Sequence, residues 1–211
     1  MKKLLACILG GLLLLGVFAT PVASEMKTIQ KIEKEDSKFV HLFVASLYDE
    51  DYYDLVVATI GMKEGDHLKL TIMSPGGPAL PMLAMLNHVE SLKAKGVYVS
   101  TKVAGLAGSG GAMIWITGDT RIISKGDLMM FHTSVVRGPY GNVDIETLPP
   151  EGQFIIREVN HAMRQYLLDI LHDTELVNEL LSADGNKEGE TNENWYNAKE
   201  IFKMGLATEL Q

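Results

Sequence analysis

From residue 39 to residue 206, short apolar runs alternate with longer stretches of helical periodicity, and no other feature of the chain limits its fold as strongly. Residues 39–44 read as a strand and 54–62 as a helix. Residues 68–73 form a second strand, which stops at Ser74-Pro75-Gly76-Gly77. Within 81–95 the apolar positions Leu83, Leu86, Val89 and Leu92 line one helical face, and Gly96 follows where a helix end favours glycine. Residues 97–103 are β-branched and alternating, so they read as a third strand, and the next helix runs from about 109 to 116. Short strands at 121–123 and 128–131 flank a Lys125-Gly126-Asp127 turn. Helices follow at 153–172 and 175–181, then a polar, Gly-containing linker over 182–191 and a last helix at 197–204. Strands alternating with helices of this length predict β-α units, a largely parallel sheet and one α/β domain.

The first 24 residues differ from the rest. Lys2 and Lys3 make a basic start, residues 4–19 are almost wholly apolar, and Val22 and Ser24 are small residues ahead of Glu25. That order predicts a secretory signal over 1–24, cut after Ser24, with a remainder over 25–211 long enough for one domain. The apolar run falls short of the ~20 residues that cross a bilayer comfortably. An uncleaved segment would anchor the same remainder in the same compartment. Without residues 1–24, 17 basic side chains face 27 acidic ones, a net charge of −10, and no basic cluster interrupts the excess. Such a chain repels phosphate backbones, which argues against nucleic acid as a partner. Cys7, the single cysteine, lies inside the signal, so the mature chain offers no disulfide and no cysteine-based metal site. Neither a phosphate-binding loop nor a dinucleotide fingerprint nor a histidine metal spacing is present, and the sequence implies no cofactor.

Three short segments carry chemistry. In Gly105-Leu106-Ala107-Gly108-Ser109-Gly110-Gly111-Ala112 a β-branched strand runs into a glycine-rich turn that opens an apolar helix. A hydroxyl at such a turn lies beside backbone N–H groups, which favour negative charge on an attacked carbonyl. Serine is also an ordinary helix cap, so Ser109 by itself fits either role. Ser74-Pro75-Gly76-Gly77 ends one strand and can turn an amide into a neighbouring cleft, or can be a plain loop. His132 ends the strand 128–131, from which it can reach Ser109; His41, His67, His88, His161 and His172 occupy strand, loop or helix-face positions.

The order strand, Ser-Pro-Gly-Gly, helix, strand, Gly-x-Ala-x-Ser-x-Gly-Ala, helix, strand, His resembles the proteolytic subunit of Clp protease. The likeness runs over roughly 39–206. Asn197-Ala198-Lys199-Glu200, leading to Gly205-Leu206, is similar to that family's closing helix, and Asp144-Ile145-Glu146 to the opening of its long handle helix. The resemblance implies repeated β-β-α units with a handle helix, and a peptidase whose nucleophile is Ser109 and whose base is His132. It implies an oxyanion hole from the amides of Gly76 and Gly110, with Gly110 standing where the family has methionine. The family's acid lies twelve residues before the glycine of Gly-Leu; here that position is Glu193, with Asn192 and Asn194 as alternative holders of the ring. The substrate implied is a peptide or an unfolded protein, and the assembly a homo-oligomeric ring.

Departures shape further expectations. Pro149-Pro150 interrupts the start of the handle helix, which predicts a shortened handle, a mobile segment over 135–151, and a single ring or smaller oligomer. An exported subunit would work without ATP or an unfoldase. Signal-peptide peptidases share the fold and use a serine–lysine pair, for which Lys102 and Lys125 are the candidate bases. Enoyl-CoA hydratase-type enzymes share it without a serine nucleophile. A binding or assembly protein that kept the fold and lost turnover is the remaining class.

Overall fold

The computed structural model describes residues 28–34, 37–138, 141–182 and 193–211, so the segment read as a secretory signal lies outside the described residues. Strand β1 (Thr28–Lys34) pairs antiparallel with β2 (Ser37–Val44), and helix α1 (Asp49–Thr59) follows. Then come β3 (His67–Ser74), α2 (Ala79–Ala94), β4 (Tyr98–Gly108) and α3 (Gly110–Ile116). Strands β5 (Thr120–Ile123) and β6 (Leu128–Phe131) precede a hairpin of β7 (Val136–Gly138) and β8 (Gly141–Val143). A 3-10 turn (Ile145–Thr147) leads into α4 (Pro150–Leu171) and α5 (Thr174–Leu180). The chain closes with β9 (Asn194–Asn197), α6 (Ala198–Lys203) and β10 (Glu209–Leu210).

The main sheet runs β1-β2-β3-β4-β5-β10 and is parallel from β2 onward, as the alternation of strands and helices predicts. Alternate residues of its strands point to one side. Val40, Leu42 and Val44, then Leu68, Leu70 and Ile72, then Val99 and Val103 are buried against the helices. Helix α2 supplies Met82, Met85, Leu86, Val89 and Leu92 to this layer, and all seven residues of α3 are buried. The opposite face mixes polar side chains with the rings of Phe39, Phe43 and Tyr98, which pack against His41 and His67. There the His41 ring is hydrogen-bonded to Thr71 Oγ1 (2.9 Å) and the His67 ring to Ser100 Oγ (2.7 Å). Burial, and then Lys69, hold both rings below the usual histidine range.

The strand β4 forks. Its first half (Ser100–Lys102) pairs with β5, and its second half (Leu106–Gly108) pairs with β6, which carries β9 on its far side. The register between β3 and β4 slips by two residues between Ile72 and Ser74, leaving a bulge in β4. Gly105 lies in that bulge with a φ of 90°, a conformation that glycine adopts without a Cβ penalty, and its amide donates to Asp127 Oδ1 (2.7 Å). The bulge re-aims the end of β4, and Ser109 follows directly.

Two helix boundaries depart from the sequence expectation. Helix α1 begins at Asp49 rather than at residue 54, because Asp51 Oδ2 accepts the Tyr48 amide (2.8 Å) and the Ser46 hydroxyl (3.0 Å). Asp49, Glu50 and Asp51 also lie in the first turn, where negative charge suits the helix dipole. Helix α4 is not interrupted by Pro149-Pro150. Pro149 caps it and Pro150 is its first residue, a position that has no helical hydrogen bond to lose and suits the fixed φ of proline. The two prolines therefore mark where the helix starts and do not break it. The Asp144-Ile145-Glu146 stretch makes a 3-10 turn, the β7–β8 hairpin fills the segment before it, and the helix itself spans 22 residues.

Candidate active site

Ser109 joins β4 to α3 with φ 52° and ψ −121°, a conformation that costs a non-glycine residue ~1–3 kcal/mol unless the surroundings impose it. Three contacts impose it. The Ser109 amide donates to the Met130 carbonyl of β6 at 2.7 Å, and the Ser109 carbonyl accepts from Met113 at 3.1 Å, beginning α3. From the other side the Ser74–Gly77 loop packs against it: a Cβ built on Gly76 would lie 2.8 Å from the Ser109 Cβ and 3.1 Å from the Gly110 nitrogen. The serine hydroxyl is left half-exposed at the mouth of the loop.

The neighbouring glycines have steric reasons. A Cβ on Gly111 would meet the Ser74 carbonyl oxygen at 2.9 Å, so α3 packs backbone-to-backbone on the end of β3. A Cβ on Gly110 would stand 2.5 Å from Leu47 Cδ1 and 3.1 Å from Met82 Cγ. Leu47, fully buried, thus occupies the space that a side chain at 110 would need. As the first residue of α3, Gly110 has an amide with no partner inside the helix.

The loop glycines divide their work. Gly76, at φ 108°, donates its amide to the Ser74 hydroxyl at 3.1 Å. Ser74 is fully buried, so this bond braces the loop from below. The Gly77 amide has no acceptor among the described residues, and Gly77 lines the same cavity as Ser109. Of the two amides in this loop, the one expected from sequence to receive an oxyanion is occupied and the next one is open.

His132 directly follows β6 and is largely buried. Strand β9 runs antiparallel to β6 with Met130 opposite Trp195 and Phe131 opposite Asn194. Continuing that register by one residue sets His132 opposite Glu193, and facing antiparallel residues have Cβ atoms ~5 Å apart. A cavity of about 670 Å3 is lined by Ser109, His132, Glu193, Trp195, Gly76 and Gly77 among others. The structure therefore brings together the serine, the histidine, the acid and the loop glycines singled out from sequence, all save the buried Gly110, which adjoins Ser109.

Among the described residues it does not bring in the alternatives. Asn194 is buried, does not line the cavity, and donates both amide hydrogens, to the Leu180 and Ser182 carbonyls (3.0 Å each), so it anchors β9. Asn192 lies outside the described residues. Lys102 precedes Ser109 by seven residues of extended β4, ~23 Å along a strand, and donates to Gln211 Oε1 at 3.0 Å. Lys125 lies in the β5–β6 turn with its amide on the Gln211 carbonyl, and neither lysine lines the cavity. His88, on α2, is hydrogen-bonded to Thr59 Oγ1 (2.8 Å) and is held low by burial and then by Lys95.

Sequence reasoning did not find β9, the difference between the Gly76 and Gly77 amides, or the contact that Trp195 makes. The segment Asn194-Trp195-Tyr196-Asn197 is short and flanked by asparagines, which are poor strand formers, and only β6 gives it a partner. In the site, Trp195 donates its indole N–H to Glu193 Oε2 at 3.1 Å.

Comparisons with known proteins agree with this architecture. The Clp protease family matches residues 24–210 of the chain. Among solved structures, a mutant of ClpP1 from Listeria monocytogenes superposes with a TM-score of 0.62 at 13% identity, covering 81% of this chain and 90% of that one. At that identity the likeness speaks for the fold. No curated protein sequence matches the chain.

Proposed function

From the premise that the chain belongs to the Clp protease family, we propose that it is a serine endopeptidase with Ser109, His132 and Glu193 as its triad. The observation that carries this reading is the convergence of these three residues on one cavity, with Ser109 held at a positive φ beside open backbone amides. His132 takes the Ser109 proton as the oxygen attacks a peptide carbonyl, and Glu193 stabilises the imidazolium that forms. The negative charge that develops on the carbonyl oxygen falls beside the amides of Gly110 and of the Gly76-Gly77 loop. Because the Gly76 amide already bonds Ser74, Gly77 supplies the second donor in this reading. Collapse of the intermediate expels the amine with a proton from His132. Water then attacks the acyl-enzyme, with His132 again as base, and the serine is released.

In this reading the substrate is a peptide or an unfolded chain, the class that membership of a protease family supports. The assembly is a homo-oligomeric ring, built through the apolar side chains that α4 and α2 leave exposed, such as Phe154, Ile155 and Leu80. Residues 1–24 direct export and are removed, so the enzyme works without ATP in its compartment. Sequencing of the isolated protein should give Glu25 as its N-terminus, and a cytosolic form retaining Met1 would contradict export.

The test of the activity is covalent labelling. A fluorophosphonate probe should modify the protein at Ser109, and Ser109→Ala should lose both labelling and peptide hydrolysis, by up to ~10⁶-fold. Hydrolysis that persists in Ser109→Ala would overturn the reading.

A further inference from the structure

We propose that Trp195 is a positioning residue that holds the Glu193 carboxylate toward His132 through its indole N–H. This rests on the Ser109-His132-Glu193 reading above and extends it to a residue outside the triad. Glu193 stands one residue before β9, and its side chain has one more rotatable bond than an aspartate. A carboxylate so placed spreads over several rotamers unless something binds it.

Trp195 is two residues along, so its side chain leaves the extended backbone on the same side as Glu193, and both line the cavity. The indole donates to Oε2 at 3.1 Å, which leaves Oε1 for the imidazole that the register sets opposite. Asn194, between them, points the other way and is tied to the Leu180 and Ser182 carbonyls, so the strand that carries the pair is itself anchored. The other tryptophan, Trp115, lies in the core with its N–H on the Ile122 carbonyl (3.1 Å) and takes no part. A phenylalanine at 195 would keep most of the packing and lose the donor. Tryptophan at this position is what makes the longer acid usable.

The test is a double-mutant cycle on the full mature protein, read as the rate of fluorophosphonate labelling at Ser109 from pH 5 to 8. A hydrogen bond to a charged group accounts for about tenfold to a hundredfold, so Trp195→Phe should slow labelling by that factor. Its acid limb should move to lower pH, because a carboxylate that swings away no longer favours the imidazolium. In a Glu193→Ala background the same substitution should cost nothing more. Multiplicative losses, or an unmoved pH profile, would overturn the role of Trp195 and leave the triad standing. Wild-type protein that never labels at Ser109 would overturn the triad and this role together. Should Trp195→Phe fail to fold, the indole N–H resonance of Trp195 decides: Glu193→Ala should shift it upfield, and an unchanged resonance refutes the bond.

Discussion

Replacing Gly76 by alanine separates the backbone strain of this loop from its contact with the nucleophile. Alanine at a φ of 108° costs ~1–3 kcal/mol, since that region is costly for any residue with a Cβ. The new Cβ would also lie 2.8 Å from the Ser109 Cβ, about 0.7 Å inside the ~3.5 Å at which carbon atoms rest comfortably. The Gly108 carbonyl oxygen at 3.0 Å and the Gly110 nitrogen at 3.1 Å close the other directions, so the added methyl must push Ser109 or the loop aside. A displacement approaching 1 Å at a reacting atom costs ~10²-fold in rate. Gly65→Ala is the control. Its φ of 85° carries a similar strain, but a Cβ there meets nothing within 4 Å. For a domain of this size 1 kcal/mol moves the thermal midpoint by ~2–4 °C, so both variants should melt roughly 2–12 °C below wild type. Only Gly76→Ala should lose fluorophosphonate labelling, by ~10²-fold. Equal labelling losses in the two variants would show that general destabilisation, and not contact with Ser109, is responsible, and full labelling of Gly76→Ala would refute the packing argument.

Three further outcomes are expected. His132→Ala should lose peptide hydrolysis while Lys102→Ala and Lys125→Ala retain most of it; a dead lysine variant beside an active His132→Ala would replace the histidine base with a lysine. Asn194→Ala strips a donor from the buried Leu180 carbonyl and one from the partly buried Ser182 carbonyl, and should cost ~1–3 kcal/mol in denaturant unfolding together with labelling rate, because Glu193 adjoins β9; unchanged stability would remove Asn194 as the anchor. His67 is held below the histidine range by burial and then by Lys69, so the folded state prefers the neutral ring, and stability from this group is lost as pH falls through the unfolded value of ~6.5. His67→Gln should therefore lose less thermal stability than wild type between pH 7.5 and 5.5, and identical slopes would contradict this.

Much of the architecture was legible in the chain because it depends on local periodicity. The alternation at Val40, Leu42 and Val44 and the recurrence at Leu86, Val89 and Leu92 read as strand and helix from neighbours alone, and the structure keeps both. The glycine-rich run around Ser109 marked a strand-to-helix turn for the same reason. Pro149-Pro150 was ambiguous. Proline disrupts the interior of a helix and suits its first turn, and only the hairpin and 3-10 turn before it decide that α4 begins there.

What the chain alone could not decide is the set of pairings that bring distant residues together. The two-residue slip between β3 and β4, the fork of β4 and the antiparallel approach of β9 each depend on partners far away in sequence. Those pairings bring Glu193 and His132 to one cavity and tie up the Asn194 amide, while local contacts two residues apart spend the Gly76 amide on Ser74 and bind the Glu193 carboxylate to Trp195. A residue's chemical type is written in the sequence. Which lone pair or N–H it has left to offer depends on what the tertiary structure has already bonded.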